Sequence, residues 1–210
     1  MDRRDCTDQE RGWVPRRGRE SWLGLMWEVE SLRRRGAVFG RSHEESHISA
    51  GITLSEGSAV TTKAVDDGIS RTAASKAVMR AGCHYAQFTM VSSRADSMFF
   101  GVIRPGWDVE GGQDAYTVDG HCFYSTWDGH CYPESAGHHW EGDWQGAREE
   151  GDRIGMLLDL DQGTMTVYKN DERLGVMATG LSGEYSWAAG LHGLHGRGES
   201  ARIDSAPLPA

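Results

Sequence analysis

His43-Glu44-Glu45-Ser46-His47 has the H-E-x-x-H spacing. On a helix, that spacing places two imidazoles on consecutive turns, with a carboxylate beside a metal-bound water. The chemistry needs a buried helix. Here the flanks are Gly40-Arg41-Ser42 and Ile48-Ser49-Ala50-Gly51, polar and then strand-like, with no apolar period of three to four. The stretch reads as a solvated linker into a first strand, and a zinc hydrolase is only the remote alternative. His121-Cys122 and His130-Cys131 flank a turn, with His138-His139 further on, and a hairpin would bring these soft ligands together. No tight Cys/His spacing accompanies them. Asp128-Gly129 points instead to a plain hairpin with Cys122 and Cys131 as small packed residues. Neither a metal nor a cofactor is expected. No P-loop or G-x-S-x-G elbow occurs, and the glycine-rich run 193–198 opens no helix that would cradle phosphate. Paired carboxylates such as Glu149-Glu150 and Asp66-Asp67 fall at turns, where solvation explains them. No residue is assigned to catalysis.

The chemistry that remains is recognition. Arg104-Pro105-Gly106-Trp107-Asp108 leaves an apolar run, Tyr124, Trp127 and Tyr132 surround the next turn, and Trp140 and Trp144 lie in a Gly/His-rich loop. Trp, Tyr and Arg anchor interfaces, because each gives a large desolvated contact at low entropic cost. The predicted partner-binding set is Arg104, Trp107, Asp108, Tyr124, Trp127, Tyr132 and Trp140. Phe88, Phe100, Tyr168 and Trp187 are assigned to the core.

These loops need a scaffold. From about residue 48 the apolar pattern has period two in short runs: 48–54, 59–65, 83–92, 98–104, 121–125, 153–159, 164–169, 173–177, 187–191 and 200–203. Turn signals separate them, among them Asp128-Gly129, Asp161-Gln162-Gly163 and Asn170-Asp171. Parallel sheets need crossover helices, and little helix is predicted between these runs, so the expected fold is all-β, an antiparallel β-sandwich. The 28 glycines against 5 prolines in 210 residues suit many tight turns.

Residues 1–41 stand apart. They hold ten Arg against seven acids, a balance of +3, whereas the rest of the chain carries −12. Within them, Trp22, Leu25, Met26, Val29 and Leu32 form one apolar stripe at helical spacing, so a short amphipathic helix behind an Arg-rich tail is expected. It either packs on its own domain or docks a partner. The acidic main domain, 42–210, would repel a phosphate backbone, so nucleic acid is not expected as its partner. The longest apolar runs fall far short of a membrane span, and residues 1–5 begin no apolar signal core, so an intracellular, cytoplasmic protein is expected. The four cysteines, Cys6, Cys83, Cys122 and Cys131, form no CxxC pair and are expected to be reduced.

Several stretches, in order, resemble the SPRY family. Gly82–Thr89 is similar to the strand that opens the family core, and Met98–Pro105 to its "GV-x-R" strand. Gly151–Asp161 resembles its most recognisable strand, Val167-Tyr168-Lys169-Asn170 its "F-x-K-N" hairpin, and Tyr185–Ala189 its late "Y-P-A" strand, with Ser186 where Pro is usual. The resemblance covers about residues 45–205. It implies a bent sandwich of two antiparallel sheets of the concanavalin-like jelly-roll type. It also implies a non-enzymatic module that binds a peptide or protein surface through loops at one end, as in ubiquitin-ligase adaptors and signalling scaffolds. In the SOCS-box adaptors an exposed Trp after the late strand helps bind the target; Leu191-His192-Gly193 stands there in this chain, so that peptide specificity does not carry over. A carbohydrate-binding, lectin-like sandwich is the alternative, since Trp rings suit sugar faces. A lectin site wants clustered Asp or Asn and often calcium, whereas Asp108, Asp114, Asp119 and Asp128 are spread out.

Overall fold

In Met98–Ile103 the side chains of Met98, Phe100 and Val102 join one apolar cluster, and those of Phe99 and Ile103 join another. This is the period of two of an extended chain with both faces covered. The same alternation runs through Arg153–Asp159, where Ile154, Met156 and Leu158 face the first cluster. Two layers follow from it. The structure, a computed structural model, describes residues 48–93, 97–133, 145–192 and 198–207, all within one unit, Ala37–Ala210. The expected N-terminal helix, the H-E-x-x-H stretch and the boundary at 41/42 lie outside the described residues.

Twelve strands occur in chain order: β1 (Ile52–Ser55), β2 (Val60–Lys63), β3 (Arg71–Ala74), β4 (Cys83–Ser92), β5 (Met98–Ile103), β6 (Cys122–Ser125), β7 (Cys131–Tyr132), β8 (Arg153–Asp159), β9 (Thr164–Lys169), β10 (Glu172–Thr179), β11 (Ser186–Leu191) and β12 (Ser200–Asp204). They form a seven-stranded sheet, β1-β2-β12-β4-β8-β9-β10, and a five-stranded sheet, β3-β11-β5-β6-β7. Every ladder among the described residues is antiparallel. The protein is therefore an all-β antiparallel sandwich, as the periodicity predicted.

The main core lies between the sheets. Phe88 of β4 stacks on Phe100 of β5, with centroids 4.9 Å apart and planes 7° from parallel, while Trp187 of β11 meets Phe88 edge-on at 6.2 Å. All three are buried, as expected, but Tyr168 is only half-buried, packed edge-on against Tyr85. The β8-β9-β10 meander follows the turn signals. Asn170 and Asp171 both adopt positive φ, 51° and 73°, the conformation of a two-residue hairpin link.

All ten expected strands are present, β4, β8 and β9 with the expected bounds and the others with ends shifted by up to four residues. The largest shift is at the first: β1 begins at Ile52, and Ile48 instead bridges Ala73. Two strands, β3 and β7, escaped the sequence reading. Arg71-Thr72-Ala73-Ala74 carries two alanines with little strand preference, and Cys131-Tyr132 is too short to show a period. Both are edge strands, placed by their neighbours β11 and β6.

Candidate recognition surface

Because β5 and β6 have apolar residues on both faces, the five-stranded sheet carries a second cluster on its outer side. Its buried members are Ala74, Phe99, Ile103, Ala115, Phe123 and Ala188, with Trp107, Tyr116 and Tyr132 packed on them half-buried. Cross-strand register aligns Ala74, Ala188, Gly101, Phe123 and Tyr132 in one row. Gly101 keeps that row flat: a Cβ there would lie 2.0 Å from the Cys122 carbonyl oxygen.

The loop from Arg104 to His121 covers this face, and its own polar groups hold it in place. Asp108 Oδ1 accepts the Glu110 N–H at 3.0 Å, and the Asp108 carbonyl accepts the Gly111 N–H at 3.2 Å. The Ser49 hydroxyl donates to the Val109 carbonyl at 3.0 Å. A short 3-10 turn, Ala115–Thr117, then lays Tyr116 flat on Phe99, with centroids 3.9 Å apart and planes 9° from parallel. The Tyr116 hydroxyl donates to Asp114 at 2.8 Å. Burial, then that bond, push the phenol up to about 12, so it remains a donor. Tyr132 meets Phe99 and Tyr116 edge-on at 5.5 and 5.9 Å, and His192 lies 6.2 Å from both of those rings. Trp107 stands edge-on to His121 at 5.3 Å.

The sequence-predicted residues are placed as follows. Trp107 and Tyr132 share this outer cluster, and Asp108 is exposed on the loop that covers it. Trp127 is 46% exposed in the turn between β6 and β7. Arg148 lies over its ring at 4.0 Å and donates from Nε to the Trp127 carbonyl at 2.8 Å. The neighbouring Asp128 reaches the Tyr132 hydroxyl at 3.4 Å, which links the turn to the cluster.

Arg104 points elsewhere. Its Nη1 donates to the carbonyls of Ser182 at 2.5 Å and Glu184 at 3.3 Å, and its guanidinium lies 4.2 Å from the Tyr185 ring centroid. It is a clamp between the end of β5 and the loop before β11, a positioning residue. Tyr124 is corrected outright. It is fully buried between the sheets, its hydroxyl donates to the Gln145 carbonyl, and burial pushes its phenol up. Period two places it with Cys122 on the inner face of β6, while Phe123 takes the outer one. Trp140 lies outside the described residues.

The sequence reading missed Tyr116, Phe99 and His192. Phe99 was hidden in an apolar strand whose two faces sequence alone does not tell apart. Tyr116 carried a usable signal: an aromatic residue inside the Gly- and Asp-rich stretch 106–120.

Cys122 and Cys131 are buried, not joined by a disulfide, with sulfurs 3.9 Å apart. Their mutual hydrogen bond and burial hold the Cys122 thiol well above its ordinary value. They pack as small residues beside the hairpin. Cys83, in contrast, is disulfide-bonded, which corrects the expectation of four reduced thiols. Among the described residues no group of three or more His, Cys, Asp or Glu side chains is placed to hold a metal ion. No helix among them is long and apolar enough to cross a membrane.

Comparison with known proteins agrees with this architecture. The family model described as the SPRY domain matches residues 83–193. Among solved structures, the SPRY domain of human HERC1 superposes with a TM-score of 0.60 at 19% identity, covering 75% of this chain and 94% of that one. A structure described as a human SPRY domain superposes with a TM-score of 0.51 at 20% identity, covering 77% and 97%. A comparison with curated proteins returns no match. The chain belongs to the SPRY family. It is therefore a protein-interaction module of a generally non-enzymatic kind.

Proposed function

We propose that this domain binds a peptide or protein segment on the outer side of its five-stranded sheet, without catalysis. Trp107, Tyr116, Tyr132 and His192 serve as ring contacts, Asp108 and Asp128 as polar rim, and Trp127 as the exposed flanking ring. One observation carries the reading: a second apolar cluster, rich in aromatic rings, lies on the outside of the sandwich with its upper members half open to solvent. Rings of this kind, held by a rigid sheet and bounded by loops, are what interfaces use as anchors. Arg104 and Tyr124 act beneath the surface by fixing the loops. In this role the module is the recognition part of a larger assembly, a substrate adaptor in ubiquitination or a signalling scaffold.

The test is selection of peptides from a random phage-displayed library on the full chain, followed by calorimetric titration of the best binder. Trp107→Ala and Trp127→Ala are each expected to weaken it by about 1–3 kcal/mol with the fold intact. Unchanged binding by both variants would place the site elsewhere.

A further inference from the structure

We propose that the outer ring cluster seats a cationic side chain, arginine or lysine, of a partner peptide on Tyr116 and His192 beside Asp114. The inference rests on the recognition reading above and names the chemistry of its ligand.

The geometry prepares a π face. Phe99 projects outward from β5, and Tyr116 lies parallel to it at 3.9 Å, so one face of Tyr116 is covered and the other is turned away from the sheet. A ring face carries the negative end of the quadrupole and attracts a cation within about 6 Å. The Asp114 carboxylate stands at the ring's edge, 2.8 Å from the hydroxyl oxygen, where it can pair with a cation held over the ring. His121, whose ring contacts are with Trp107 and Phe123, is 1% exposed. Its Nδ1–H donates to the Ala115 carbonyl at 2.9 Å, so its Nε2 is an acceptor, and that atom has no partner.

The charge of the segment points the same way. Residues 105–133 hold five acids, Asp108, Glu110, Asp114, Asp119 and Asp128, and no Lys or Arg. An acidic ligand would be repelled there, and a basic one steered inward. The chain itself shows how it treats a comparable ring: guanidinium groups lie over Trp127 and Tyr185, supplied by Arg148 and Arg104. Both are committed to those places by hydrogen bonds to carbonyls. Among the described residues no guanidinium or ammonium lies over Tyr116.

The experiment pans a random phage-displayed peptide library on the full chain and resynthesises the best peptide with each Arg replaced by citrulline or each Lys by norleucine. Selected sequences are expected to share one Arg or Lys at a fixed position. Neutralising it should lower affinity about tenfold, the scale of one cation–π contact reinforced by a carboxylate. Asp114→Asn should reproduce most of that loss and flatten the salt dependence without shifting the melting temperature. Its side chain bonds only Tyr116 among the described residues, so the variant keeps the fold even where Tyr116→Leu does not. Peptides that need Tyr116 or Trp107 but tolerate neutralisation would overturn the cationic inference and leave the recognition reading standing. Selection of no peptide, or of peptides indifferent to every ring variant, would overturn both.

Discussion

β5 serves two apolar regions that differ in almost every respect but their backbone. On its inner side Met98, Phe100 and Val102 enter a core of aliphatic, methionine and stacked aromatic residues, and each of the three is fully buried. On its outer side Phe99 and Ile103 support a smaller cluster whose covering rings, Trp107, Tyr116 and Tyr132, are half open and edged by acids. The inner region is closed between two sheets, so its side chains must fit by shape. The outer one is closed by a single loop tied down by its own polar groups, so it has partners on one side only. Residues of one type, one position apart, thus answer to different demands: the inner Phe to folding, the outer Phe to folding and to presentation of Tyr116.

That contrast breaks most directly at its largest expected effect. Phe100→Ala should cost about 3–5 kcal/mol and Leu158→Ala about 2–5 kcal/mol in denaturant titration, because both empty a sealed space. Tyr132→Ala on the half-open side should cost clearly less than either. Equal losses would mean that the outer cluster is as much core as the inner one. Gly101→Ala comes next. Its methyl would stand 2.0 Å from the Cys122 carbonyl oxygen, a backbone atom that moves only if β5 and β6 part. A loss of about 1–3 kcal/mol or more is expected, and a near-neutral result would show that the ladder flexes there.

The two regions also differ in how far the sequence disclosed them. The inner region was legible because period two on Arg153–Asp159 and Thr164–Lys169 declares one apolar face, and Asn170-Asp171 declares the turn between strands. The family resemblance, on motifs in order, gives the same sandwich, and the family model spans those motifs from Cys83 onward. The outer face was harder. Met98–Ile103 is apolar at every position but Gly101, so no alternation marks which ring faces out. In Cys122-Phe123-Tyr124-Ser125 no alternation marks the faces either: Tyr124, beside the turn by its position, lies on the inner face, and Phe123 takes the outer one. The type of Arg104 suggests a contact, while its partners within the chain lie about 80 positions away at Ser182 and Glu184. Nothing local announces such a pairing.

Arg104 sharpens the comparison at middle scale. Arg104→Ala should lower stability by about 1–2 kcal/mol, the range for hydrogen bonds to a charged group with partial exposure, and should weaken any peptide binding by loosening the loop. Arg104→Lys keeps the charge but not the fork, and should recover only part of it. His121 gives a pH signature. Burial holds its imidazole below the ordinary 6.5, opposed by the Ala115 bond and assisted by Arg104. The folded state then binds fewer protons than the unfolded one below that value, so stability should be unaffected above pH 6.5 and fall as pH drops through it. Chemical denaturation at several pH values, wild type beside His121→Gln, checks this: the variant should lose that part of the slope. A wild-type slope unchanged by the substitution would assign it to the carboxylates instead.

The smallest expected effect is at Trp127. It is the largest exposed ring of the described surface, at 46%, and its evident partner is Arg148, stacked over it and bonded to its own carbonyl. A cation–π contact at an exposed site contributes about 0.5–1 kcal/mol, and the carbonyl bond survives truncation of the ring. The turn itself is held by other groups: the Gly129 N–H donates to the Ser125 carbonyl at 2.9 Å, and Asp128 Oδ1 accepts the His130 N–H at 3.0 Å. Trp127→Ala should therefore shift stability by less than about 1 kcal/mol, although a ring of that size in the inner core would cost several times more. A scanning thermal melt of wild type, Trp127→Ala and Trp187→Ala separates the two environments in one measurement. Trp187 is 4% exposed and meets Phe88 edge-on, so its variant should melt far earlier. If Trp127→Ala melts with Trp187→Ala, the ring belongs to the fold, and the flanking contact assigned to it in recognition is wrong.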